Sequence, residues 1–141
     1  MSTWENFDIN LELQKTRTNI KPLVSIFADQ HEFMKAAGNE YPVANTANLT
    51  NLAEELVIEE AAEFLMEDDF NNKIKEAIDL IYVTAQWLNT VIGPESAERV
   101  WRIVHANNMS KLTDGVLVKR EDGKVLKPKG YKPVDLSGLR L

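Results

Sequence analysis

From Pro22 onward, apolar residues recur at spacings of three and four: Leu23, Ile26, Phe27, Phe33, Met34 and Ala37, with Gln30 in the same stripe. That period predicts a helix. Gly38 stops it, and Pro42 falls at a distance suited to a loop. Residues 38–50 are rich in Asn, Thr and Gly and read as that loop. A second helix is predicted from Asn51, where Glu54 three residues on suits a capping box, to about Glu67. The turn EDDFNN follows, then a third helix from about Lys73 to Thr90. This helix is apolar nearly all round (Ile78, Leu80, Ile81, Val83, Trp87, Leu88), which predicts the central, most buried element. Gly93 and Pro94 give a stop and a fresh start. The fourth helix carries Val100, Trp101, Val104 and Met109 and ends near Lys111. After it, GVLVKR-EDG-KVLK reads as a short hairpin with Gly123 in the turn, and Pro128 and Pro133 oppose further helix. The expected fold is all-α, a four-helix bundle forming one domain: an N-terminal arm over residues 1–21, the bundle over 22–112, and a hairpin and extended tail over 113–141.

Composition narrows the class without changing the fold. A chain of 141 residues suits a single domain. It contains no apolar run of about 18 residues, no basic head with an apolar block at its start, and no cysteine for disulfides or thiolate sites. A cytoplasmic protein is expected (host cytoplasm if viral), with no membrane partner. The net charge of −6 is unevenly divided. From Lys111 to Lys132 there are seven basic residues against three acids, a segment of +4 beside a remainder of −10. An acidic body with a basic tail suits an anion held between metal ions and lysines. It argues against nucleic acid, for which a broader basic surface is needed.

The candidate chemistry lies where acids interrupt the helical apolar pattern. EELVIEEAAEF places Glu59, Glu60 and Glu63 on the second helix, and KEAIDLIYV places Glu76 and Asp79 on the third. Residues three or four apart share a helix face. If the hairpin turns midway between Asp69 and Phe70, Glu60 faces Asp79 and Glu63 faces Glu76, and four carboxylates form one square facing the bundle interior. Such a square requires cations or raised pKa values. Oxygen-only ligation suits Mg²⁺ or Mn²⁺. A di-iron bundle would need Glu-x-x-His pairs, yet Ala28 and Arg102 stand three residues before His31 and His105. An EF-hand at Asp68–Asn72 lacks the required Gly and closing Glu.

EExxE, a twelve-residue gap and ExxD, followed by NMSK (Asn108 to Lys111) and DGKVLKPKGY (Asp122 to Tyr131), resemble the MazG-like all-α nucleoside triphosphate pyrophosphohydrolases, in particular their short dUTPase-like and phage-type branch. The resemblance implies a hydrolase that cleaves a (d)NTP between its α and β phosphates, giving (d)NMP and pyrophosphate, with dUTP/dCTP or a purine such as dGTP as substrate. It implies that Glu60, Glu63, Glu76 and Asp79 hold Mg²⁺ or Mn²⁺ and that Glu59 orients or deprotonates the attacking water. Asn108, Lys111, Lys124, Lys127 and Tyr131 would bind the substrate. It also implies a homodimer or homotetramer with sites at subunit interfaces. Ala37 departs from the large aromatic that relatives carry before the glycine. Two alternatives stand beside this reading: a phosphoribosyl-ATP pyrophosphohydrolase, and a non-enzymatic helical module whose acidic groove takes a basic partner.

Overall fold

The computed structural model describes residues 25–39 and 46–138, with Asn10 alone before them. The expected arm over residues 1–21 otherwise lies outside the described residues, as does Pro42. Four helices follow in order: α1 (Ile26–Ala36), α2 (Thr46–Met66), α3 (Phe70–Ile92) and α4 (Pro94–Met109). No strand forms among the described residues, so the chain is an all-α four-helix bundle.

Two helix starts differ from the sequence pattern. α2 begins at Thr46, so Asn51 and Glu54 lie inside it and form no capping box. Asn and Thr are only mildly unfavourable in a helix, by a few tenths of a kcal/mol each (about 0.5 relative to Ala), and packing of α2 along α3 outweighs them. α3 begins at Phe70, three residues before Lys73. Asp69 caps it, its carboxylate accepting from the Asn72 amide at 2.9 Å. Glu67 in turn accepts from the Asp69 amide at 2.9 Å. These two acids thus serve as connectors, and the link between α2 and α3 shrinks to Glu67–Asp69.

α3 is central: it packs against α1, α2 and α4, whereas α2 packs among the described helices on α3 alone. The core is small, with Phe27, Ala85 and Ala97 buried and Leu88 and Ile92 packed against them. Between α1 and α3 sits a buried amide pair. Asn89 donates to the Phe27 carbonyl at 2.9 Å and to Gln30 Oε1 at 2.8 Å. At the α3–α4 corner Gly93 adopts φ +79°, which favours glycine, and Pro94 opens α4. α3 is the central and most buried described helix, as expected, but not all of its apolar residues are covered. Phe70 is 76% exposed, and Ile74, Ile78 and Ile81 are exposed beside it, forming one stripe along its outer face. Trp101 on α4 meets Phe27 edge-on at 6.5 Å and stays half exposed.

Beyond α4 the expected hairpin is reduced to one antiparallel bridge, Lys119 with Val125. The Arg120 amide donates to the Lys124 carbonyl and the Leu126 amide to Val118, each at 2.8 Å, with Gly123 at φ +86° in the turn. No described helix is long and apolar enough to cross a membrane.

Candidate active site

The α2–α3 hairpin brings Glu60, Glu63 and Glu76 together. One carboxylate oxygen from each lies within 4.8 Å of the others, an arrangement that could hold a metal ion. Each is placed by helix geometry: Glu60 and Glu63 are one turn apart on α2, and α3 carries Glu76 across the seam. Glu76 is buried (9% exposed), Glu60 is half-buried and Glu63 is exposed. The square therefore does not face a closed interior. Its outer edge is open because, among the described helices, α2 is covered by α3 alone.

Oxygen atoms Glu60 Oε2 and Glu76 Oε2 are both buried and have no hydrogen-bond partner. Burial, then the charges of Glu63, Asp79 and Glu76, push the Glu60 carboxyl above its ordinary value. Burial, then the neighbouring Glu76, does the same to Glu63. Both directions reflect a negative field with too little positive charge inside it. A cation with oxygen affinity fits this donor set.

Asp79 stands apart from the three. Its Oδ2 pairs with Lys75 Nζ at 2.9 Å, one helical turn away, while the same ammonium reaches Glu76 Oε1 at 3.2 Å. Asp79, then Glu76, hold Lys75 protonated above its usual range. Sequence reasoning passed over Lys75, although its i,i+4 spacing to Asp79 announces the pair. Glu59 is exposed and shares with Glu63, Glu76, Ala62, Met66 and Glu67 the wall of an open cavity of about 450 Å³.

A second cluster forms where the tail folds onto the end of α4. Lys111 Nζ donates to Asn108 Oδ1 at 3.1 Å and lies 5.5 Å from the centre of the Tyr131 ring; Lys127 Nζ lies 5.7 Å from the same centre. The Tyr131 hydroxyl donates to Asn107 Oδ1 at 2.6 Å, and Asn107 Nδ2 donates to the Lys132 carbonyl at 2.8 Å. Asn107 thus fastens the tail, a role hidden in the sequence beside Asn108. A turn from Pro128 to Tyr131, with Gly130 at φ +86°, presents the ring. Next to it is an open cavity of about 960 Å³ whose lining includes Ile103, Leu112, Pro133 and Val134. The structure thus groups Asn108, Lys111, Lys127 and Tyr131. Lys124 is not in the group: it is exposed in the bridge turn, where its amide donates to Asp122.

Comparison with known proteins agrees with this helical hairpin. The profile of one family, phosphoribosyl-ATP pyrophosphohydrolase, matches residues 27–108, more than half of the chain. The class is the nucleotide pyrophosphohydrolases of the MazG-like all-α superfamily, hydrolases acting on a pyrophosphate bond. Within it, the chain belongs to the phosphoribosyl-ATP pyrophosphohydrolase family. No curated protein matches the chain. The matched stretch contains every carboxylate of the cluster and Asn108, and it ends before Lys111.

Proposed function

We propose that the protein is a metal-dependent pyrophosphohydrolase cleaving the α–β phosphoanhydride of a free (d)NTP, with (d)NMP and pyrophosphate as products. The observation that carries this reading is the group Glu60, Glu63 and Glu76, with two buried oxygens lacking donors, of which Glu63 and Glu76 line the cavity that Glu59 also lines. Glu60, Glu63, Glu76 and Asp79 would hold Mg²⁺ or Mn²⁺, for which an all-oxygen set is suited. Such an ion, when bound, neutralises charge on the phosphate oxygens and on departing pyrophosphate. Glu59 stands at the cavity wall to accept a proton from the attacking water. As the water oxygen bonds to the α-phosphorus, the bond to the bridging oxygen breaks and its electron pair leaves with pyrophosphate. Asn108, Lys111, Lys127 and Tyr131 would receive phosphate and sugar, with Lys124 closing from the bridge turn.

The preference for a free triphosphate, dUTP/dCTP or a purine such as dGTP, rests on the dUTPase-like tail motif, which lies outside the family-matched stretch. A second reading, phosphoribosyl-ATP as substrate, is favoured by the family match itself. Both substrates are cut at the same bond, so the acidic site serves either. We further propose a homodimer or homotetramer. The exposed stripe Phe70, Ile74, Ile78 and Ile81 on α3, with exposed Ile58 and Leu65 on α2, supports it, since clustered exposed apolar side chains mark association surfaces.

Pyrophosphate release measured with Mg²⁺ across all dNTPs, NTPs and phosphoribosyl-ATP tests the assignment. Turnover of at least one free triphosphate above that of phosphoribosyl-ATP is the expected result. The reverse ratio assigns the second reading, and no turnover of any substrate overturns both.

A further inference from the structure

The acidic cluster already holds a cation of the chain's own. Lys75 Nζ sits 2.9 Å from Asp79 Oδ2 and 3.2 Å from Glu76 Oε1. Among the described residues, the ion pairs to the four carboxylates Glu60, Glu63, Glu76 and Asp79 come from Lys75, and the buried oxygens Glu60 Oε2 and Glu76 Oε2 stay without partners. Both partners of the ammonium, Glu76 and Asp79, lie on its own helix α3, so neither bond spans the seam to Glu60 or Glu63 on α2. The Lys75 side chain is 65% exposed, so it can leave for water at little cost. Asp79 is meanwhile drawn to its own helix instead of joining the three carboxylates across the seam.

We propose that Lys75 is a tethered counter-ion: it holds Asp79 and Glu76 when no dication is present, must release them when one binds, and thereby sets the metal affinity of the site. It is a positioning residue that acts through its two carboxylate partners. The inference rests on the metal-site reading above. A dication outcompetes the ammonium because it carries twice the charge and can reach the two unpartnered oxygens. Occupation by Lys75 prevents the metal-free cluster from repelling itself apart, and weakens binding by the same interaction.

Calorimetric titration of Mn²⁺ and Mg²⁺ into the full chain tests it with wild type, Lys75→Gln and Lys75→Arg. Expected is roughly threefold to tenfold tighter metal binding by Lys75→Gln, the scale of one or two exposed ion pairs, and binding like wild type by Lys75→Arg. Without metal, Lys75→Gln should melt below wild type, and saturating Mg²⁺ should close the gap. Unchanged or weaker binding by Lys75→Gln, with wild type binding normally, overturns the counter-ion role alone. Binding by none of the three proteins overturns the metal reading and this inference with it. Should Lys75→Gln not fold, the Lys75 Cε resonance of wild type during Mg²⁺ titration decides. Movement toward the position of a free lysine supports release, and an unmoved resonance overturns it.

Discussion

The two ends of α3 each carry polar side chains where apolar ones would pack, and the fold treats them in opposite ways. Toward its C-terminus, Asn89 is fully buried with Gln30 of α1 (0% exposed) and donates to Gln30 Oε1 and to the Phe27 carbonyl, while Gln30 Nε2 and Asn89 Oδ1 have no partner. Toward its N-terminus, Glu76 is nearly as buried, but its neighbours across the seam are carboxylates and its buried Oε2 has no donor. The amide end is closed by helix packing between α1 and α3. The carboxylate end opens onto a cavity of about 450 Å³. The two bonds donated by Asn89 fix α1 against α3, and the amide atoms left unpartnered carry no net charge. A cluster of carboxylates cannot satisfy itself, and what it lacks is a cation. Neither burial nor an unpartnered atom alone separates a structural polar residue from a functional one, since both ends have both. The difference is the uncompensated negative charge at the carboxylate end.

The largest effect expected from this contrast is on activity. Glu60→Gln removes one charge and one candidate ligand while keeping the side-chain shape. Pyrophosphate release should fall at least roughly a hundredfold, the scale of losing one electrostatic contributor in a hydrolytic site. Its helical circular dichroism should be unchanged. Its metal-free melting temperature should rise, because one of the mutually repelling groups is gone. A variant that is both less stable and fully active would place Glu60 with the structural residues.

The amide end predicts the converse. Asn89→Ala leaves Gln30 Oε1 and the Phe27 carbonyl short of a donor in a dry site. It should destabilise the chain by about 1–3 kcal/mol in urea unfolding, with turnover per folded molecule retained. Lost turnover at full stability would move Asn89 into the active site.

How much of this contrast the sequence shows depends on the range of each interaction. The acidic hairpin is legible because helix periodicity fixes which residues share a face, and Glu60, Glu63 and Glu76 do meet. The four helices are legible for the same reason. The start of α2 is not, because Thr46, Asn48 and Thr50 are weak helix formers and give the stretch the composition of a loop. The exposed Ile78 and Ile81 look like core in the sequence, since periodicity reports an apolar face without saying what covers it. The Gln30–Asn89 pair, separated by 59 positions, and the Asn107 clamp on Tyr131, separated by 24, arise from tertiary contact and leave no local signal.

The smallest effect distinguishes the two ends by pH. Folding raises the carboxyls of Glu60 and Glu63 above the ordinary 4.5, chiefly through burial. Their contribution is therefore fully present below that value and lost as pH rises through the raised folded values. Asp122 and Asp135 do not interfere. Arg120 beside Asp122, and the Ser137 amide at Asp135, hold those carboxyls below 3.8, so their contribution is already complete above that pH and is lost only as pH falls through their lowered values. Metal-free protein should thus melt a few degrees lower, roughly, as pH is raised from 4.5 toward neutrality. Saturating Mg²⁺ should reverse the trend, because the ion binds the ionised carboxylates and its advantage grows as protons leave. Glu60→Gln should flatten the metal-free slope, whereas Asn89→Ala should lower the whole curve without changing its slope, an amide having no proton to release. A slope unaltered by Glu60→Gln, or one changed by Asn89→Ala, would remove the distinction between the two ends of α3.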